Sequence, residues 1–199
     1  MTHQKYPSRL KIFNKKEKER FEEKLNEQFG IENIPGMILQ KGTEKLYLFQ
    51  GSLSEKQIYE LEQTLPIEKV GIYFAKTVEE RDGEDKIRLS IEGTQILSDQ
   101  INKNIFELND EQVEEWMRGS ELLLDYFNKL IDEEKLVKRA EGRDAGVLDS
   151  KLGGKARVKP ERGFLVMKYK DNFLGTGKAS ENKISNFIPK NRRLKERNN

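Results

Sequence analysis

The chain has 199 residues, 36% of them charged and 35% hydrophobic, enough for two small cores when a domain typically runs to about 100–150 residues. It has no cysteine, which excludes disulfides and thiolate metal sites; no apolar run approaches the roughly 18–20 residues of a membrane span, Met1 to Asn14 lacks a signal-peptide core, and a soluble cytoplasmic protein is expected. The net charge of +2 conceals a segregation: Lys138 onward carries 17 Lys/Arg against 7 Asp/Glu and the remainder 20 against 28, so the carboxyl end is the one that attracts polyanions.

From Lys15 to Gly30, Phe21, Leu25 and Phe29 recur four residues apart among Lys and Glu, which predicts a helix stopped by the glycine. Met37-Ile38-Leu39 and Leu46-Tyr47-Leu48-Phe49 flank a polar turn with Gly42 and read as a hairpin. Ser54 with Gln57 is a capping box opening a helix through Ile58, Leu61 and Leu65, ended by Pro66. Val70 to Val78 and Lys86 to Leu89 read as strands around the turn Arg81 to Asp85. Ser90 caps a short helix with Ile91, Thr94, Ile96 and Leu97, although Gly93 argues against it. A domain boundary is expected near Asp99, after a compact α/β domain spanning 1–98.

Asn104 to Leu108 reads as a strand, and Asn109 or Asp110 caps a helix carrying Val113, Trp116 and Met117 up to Gly119. An amphipathic segment from Glu121 to Lys138, with Leu122, Leu123, Tyr126, Phe127, Leu130 and Ile131, predicts a further helix. Residues 139–162 form a long basic loop, broken by Gly142, Gly146, Gly153, Gly154 and Pro160. Phe164 to Met167, Phe173 to Ala179 and Lys183 to Ile188 then predict three strands, joined by turns at Lys170-Asp171-Asn172 and Ser180-Glu181-Asn182, in a meander that closes a small barrel. The tail from Lys190, with 194–199 as its basic end, is expected to lack order unless a partner supplies it.

These last strands resemble a family pattern. Phe164 to Tyr169, Asp171, Leu174-Gly175-x-Gly177-Lys178-Ala179, Ile184 to Ile188 and Pro189-Lys190-x-Arg192-Arg193 are similar to the PUA fold. The likeness is to the version attached to rRNA 5-methylcytosine methyltransferases and to the one in the pre-PUA/PUA ribosome-biogenesis factor of archaea and eukaryotes. Lys86 to Ile91 followed by Asn104 to Leu108 is similar to the join between that factor's two domains. The resemblance runs from about residue 69 to 193 and implies an α+β protein: a small α/β pre-PUA-like domain, then a PUA-like pseudo-barrel over 99–193 with a long helical and basic-loop insertion. It also implies binding of structured or single-stranded RNA along the edge where the first barrel helix meets the last strand. Two features depart from the family: Leu122 to Arg162 is longer than a compact PUA domain needs, and no methyltransferase domain with a glycine-rich cofactor loop accompanies it.

His3 is the single histidine, which excludes a multi-histidine metal site; no cofactor is expected. The carboxylates of Glu17 to Glu27 and Glu111 to Glu115 read as solvated helix faces. Gly175 and Gly177 lack the third glycine and following helix of a dinucleotide fingerprint; a bulge or close backbone approach and a role beside an RNA backbone both remain open. Lys178, Lys183, Lys190, Arg192 and Arg193, with Lys195 and Arg197, are the candidate phosphate contacts. Lys155, Arg157 and Lys159, flanked by Lys151 and Arg162, either fold onto RNA or stay mobile. Trp116 and Phe187 read as core.

The expected function is therefore a non-catalytic RNA-binding protein for rRNA or tRNA, in ribosome biogenesis or beside a separate modifying enzyme. Ribosome-assembly or methyltransferase proteins are its further expected partners. The alternative is a protein-interaction adaptor, docking through an acidic first domain and the Leu122 to Ile131 helix.

Overall fold

A computed structural model describes residues 10–65, 67, 69–80, 83–124 and 162–195. The fold is mixed α+β with two five-stranded sheets, and the chain divides into two compact units, Met1–Asn104 and Ile105–Asn199.

The first unit contains β1 (Leu10–Ile12), α1 (Lys15–Phe29), β2 (Met37–Lys41), β3 (Lys45–Phe49), α2 (Glu55–Thr64), β4 (Ile72–Glu79), β5 (Asp85–Leu89) and α3 (Ile91–Ile96). The strands lie in chain order β1-β2-β3-β4-β5, each antiparallel to its neighbour. Local chemistry starts each helix. Asn14 and Glu17 bond each other's backbone N–H at the start of α1, and Ser54 and Gln57 do the same for α2, satisfying donors that a helix cannot pair internally. Phe21, Leu25 and Phe29 bury their side chains as the periodicity required, and Phe21 meets Phe74 of β4 edge-on at 6.2 Å between centroids.

The apolar stripe of α2 behaves differently. Ile58 is buried with Leu10, Ile12, Leu39 and Tyr47, whereas Leu61 and Leu65 are exposed. Tyr59 and Glu62 of this helix are instead used at the sheet edge: Ile12 N donates to Tyr59 Oη at 3.4 Å and Leu10 N to Glu62 Oε1 at 3.0 Å. Gly93 does not break α3, which Ser90 caps. A Cβ at position 93 would lie 2.0 Å from the Phe74 carbonyl oxygen, so the glycine lets the helix pack directly on β4. Arg81 and Asp82 of the expected turn lie outside the described residues.

The second unit contains β6 (Ile105–Glu107), α4 (Asp110–Arg118), β7 (Leu122–Leu123), β8 (Gly163–Tyr169), β9 (Asn172–Ala179) and β10 (Lys183–Ser185). Their order in the sheet is β6-β8-β9-β10-β7. β6 runs parallel to β8 and the other pairs are antiparallel. The described strands form a curled half-barrel sheet.

Four expectations need correction here. The helix expected from Glu121 does not begin there, because Leu122 and Leu123 form β7 against Ile184 and Lys183; a partner strand some sixty residues away outweighs the local helical pattern. Leu124, buried after β7, takes helical conformation, and residues 125–161, which hold the rest of that segment and the basic loop, lie outside the described residues. The hairpin turn is Lys170-Asp171 alone, since Asn172 already pairs with Tyr169, and Lys170 takes the left-handed conformation at φ +53°. The final strand stops at Ser185. The tail is seated as far as Leu194: Lys190–Arg192 forms a 3-10 turn, and Leu194 N donates to Met117 O at 2.9 Å; residues 196–199 lie outside the described residues.

Candidate nucleic-acid interface

The site is built on the carboxyl end of α4. Asn109 and Gln112 form its capping box, and Trp116 anchors it, fully buried, with Nε1 donating to Leu174 O at 3.2 Å. Beneath the indole lies Gly177, where a Cβ would sit 2.5 Å from Ile184 Cγ2 and 2.9 Å from Trp116 Cη2. Gly175 occupies the register break opposite Val166 and Lys168, with φ +82°, the backbone of a bulge that a glycine accommodates. Both glycines are buried. Gly177 thus serves a helix–sheet contact and Gly175 a bulge.

The three residues that follow α4 are each met by the carboxyl-terminal segment. At Gly119, the Arg193 guanidinium fills the place of a side chain: a Cβ there would lie 2.2 Å from Arg193 Nε, which donates to Ile188 O at 3.1 Å. At Ser120, Asn186 Nδ2 donates to Ser120 O at 3.0 Å and to Trp116 O at 2.8 Å, while its Oδ1 accepts from Ile188 N at 2.7 Å. One amide thereby satisfies carbonyls at the end of the helix and fixes the chain that leaves β10. At Glu121, Oε2 meets Lys183 Nζ at 2.7 Å and Oε1 accepts from Ser185 Oγ at 3.0 Å. The Lys183 ammonium, and then the Ser185 hydroxyl, hold the Glu121 carboxyl below its ordinary pKa.

This seam orders the expected cations. Lys178 lies opposite Ser185 across β9 and β10, its Nζ 5.6 Å from the centroid of the Phe164 ring. That ring lies 6.1 Å from half-buried Phe187. Lys183 sits on Glu121 and Arg193 on Gly119, while Lys190 and Arg192 are exposed in the 3-10 turn just before Arg193. Lys183 and Arg193 therefore border the α4–β7 turn through Glu121 and Gly119, Lys178 lies on the strand beside Ser185, and Lys190 and Arg192 precede Arg193 in the chain. Lys195 is exposed beyond it. Lys155, Arg157 and Lys159 lie outside the described residues, as do Lys151, Arg197 and His3; Arg162 pairs with Glu181 at 3.5 Å.

Sequence reading missed Glu121, Ser185 and Asn186. Their roles are set by partners more than sixty positions away, and no local pattern marks them. A separate group gathers at the β8–β9 turn, where Tyr169 Oη donates to Asp110 Oδ1 at 2.6 Å and Lys170 Nζ lies 4.5 Å from the Tyr169 ring centroid.

Residues 149–194 match the family model of the methyltransferase RsmF PUA domain. The chain carries a PUA-like domain. This PUA-like match spans β8, β9, β10 and the seated tail, so the cations from Lys178 to Arg193 all fall within it. No curated protein matches the chain. Among the described residues no group of His, Cys, Asp and Glu could hold a metal ion, and no helix is long and apolar enough to cross a membrane.

Charge count alters the adaptor alternative. Residues 1–104 carry 17 Lys/Arg against 18 Asp/Glu, and residues 105–137 carry 3 against 10. The acidic excess therefore begins at the start of the second unit, on α4 and after it. The first unit is close to neutral rather than acidic, and Leu122 and Leu123 of the expected docking helix belong to a strand, while residues 125–131 lie outside the described residues.

Proposed function

We propose that this chain is a non-catalytic RNA-binding protein whose ligand, an rRNA or tRNA, lies along the seam between the end of α4 and the β10-tail segment. The observation that carries the reading is the placement of Lys183 at Glu121 and of Arg193 at Gly119, with Lys178, Lys190 and Arg192 on the adjoining segments, inside a PUA-like match. Cations gathered on neighbouring segments suit a phosphate chain, because each neutralised phosphate releases condensed counterions and adds affinity. Half-buried Phe187, in the same segment beside Phe164, is the aromatic side chain available to meet a base. The pre-PUA-like role of the first unit, a cytoplasmic setting, and partnership with ribosome-assembly or methyltransferase proteins belong to the same proposal. A non-catalytic role fits a chain without a cysteine nucleophile or a glycine-rich cofactor loop.

The test is binding to a panel of labelled rRNA fragments and tRNAs across a salt series. The parent should weaken steeply with salt, and a Lys190→Glu/Arg192→Glu/Arg193→Glu variant should lose about tenfold or more in affinity. A triple variant that binds like the parent would reject the seam.

A further inference from the structure

The seam contains one feature that a phosphate-binding surface should not favour: a carboxylate in the midst of its cations. Glu121 is 45% exposed, as is its partner Lys183, so burial does not force the pair together. Each carboxylate oxygen takes one donor, Oε2 from the Lys183 ammonium at 2.7 Å and Oε1 from the Ser185 hydroxyl at 3.0 Å. An ammonium and a hydroxyl converging on two oxygens of one anionic group is also the donor set for the two non-bridging oxygens of a phosphodiester. Lys178 lies beside Ser185 on the neighbouring strand, and Arg193 fills the groove two residues before Glu121.

We infer that Lys183 and Ser185 form a phosphodiester site which Glu121 occupies as an internal stand-in until RNA displaces it. The inference rests on the RNA-binding reading and deepens it by naming one phosphate subsite and its built-in competitor. The competitor lies three residues past the end of α4, in the short turn to β7, where it can swing to solvent without disturbing either element. While seated it competes with adventitious polyanions for Lys183, so a ligand that also engages the rest of the seam displaces it most readily. An exposed ion pair is weak, so the competition adjusts affinity a few-fold without abolishing it.

The test uses the full chain and the rRNA fragments that bind the parent. Glu121→Gln should tighten binding by about two- to fivefold and steepen the dependence of log Kd on log salt by about 0.7–0.9, the increment of one added phosphate contact. Adding Lys183→Gln or Ser185→Ala to Glu121→Gln should erase both gains. Glu114→Gln, which removes a similar ion pair with Arg118 on the exposed face of α4, controls for net charge and should leave the salt slope unchanged. If Glu121→Gln binds with the parent's affinity and slope, or more weakly, while the tail triple variant loses binding, the stand-in is refuted and the RNA reading survives. A parent that binds none of the fragments overturns both.

Discussion

Gln28 of α1 pairs its side-chain amide with both backbone groups of Ile87, Nε2 donating to the carbonyl at 3.3 Å and Oε1 accepting from the N–H at 2.8 Å. The amide takes the place of a missing sixth strand at the β5 edge. At the opposite edge Glu62 and Tyr59 accept from Leu10 and Ile12 of β1. Helix side chains thus pair backbone groups at both margins of the first sheet, at Ile87 and at Leu10 and Ile12, positions that would otherwise be open to pairing with another chain.

Gln28→Ala should destabilise the first unit by about 1–2 kcal/mol, because it leaves the backbone groups of Ile87 without their partner. Urea denaturation followed by circular dichroism measures the loss. Light scattering at rising concentration should show added self-association, and a variant as stable and monodisperse as the parent would contradict the edge role.

Gly177→Ala should cost about 1–3 kcal/mol through overpacking against Ile184 and Trp116. Because Trp116 is the single tryptophan, its fluorescence reports the disturbance directly. An unshifted emission maximum and unfolding midpoint would show that α4 does not rest on β9 at this residue.

Asn186→Ala removes three hydrogen bonds made by one amide. It should lower stability by about 1–3 kcal/mol and weaken RNA binding together with it, because the tail cations lose their anchor to α4. Asn186→Asp should be worse than Asn186→Ala, since it sets a negative charge beside carbonyls at the negative end of a helix. Thermal unfolding and Kd measured on the same three proteins decide the order.

Acid titration followed by carboxyl NMR should place Glu121 below an ordinary glutamate. The sign follows from the folded form holding its proton less tightly than the unfolded form. The contribution to stability is complete above the unfolded pKa and disappears as pH falls through the depressed folded one. Lys183→Gln should return Glu121 toward its ordinary value. Glu17, held down by Lys11 and by the Asn14 N–H, should keep its shift in that variant and serves as the internal reference.

Much of the local architecture was legible because its causes lie within a few residues. The capping pair Ser54–Gln57 spans three positions, the cap at Asn109 lies next to its helix, and the four-residue spacing of Phe21, Leu25 and Phe29 declares the buried face of α1, whereas the pair Asn14–Glu17 emerged only in the structure. The same reasoning fails at Leu122 and Leu123, where apolar residues at helical spacing are taken by β10. It fails again at Leu61 and Leu65, whose stripe finds no sheet to cover it. Lys178, Lys183 and the tail cations could be picked out by type and regional excess. The meeting of Lys183 with Glu121 and of Arg193 with Gly119 could not, since those partners lie far along the chain.

The sequence by itself determined most of the helices and strands, but neither β1 nor β7, and which end of the chain concentrates positive charge, because capping, periodicity and composition act over short distances. Tertiary structure alone decided that β6 runs parallel to β8, that β7 closes on β10, and that an acid sits among the seam's cations. Those outcomes depend on backbone groups common to every residue and on partners sixty positions apart, so no local pattern encodes them.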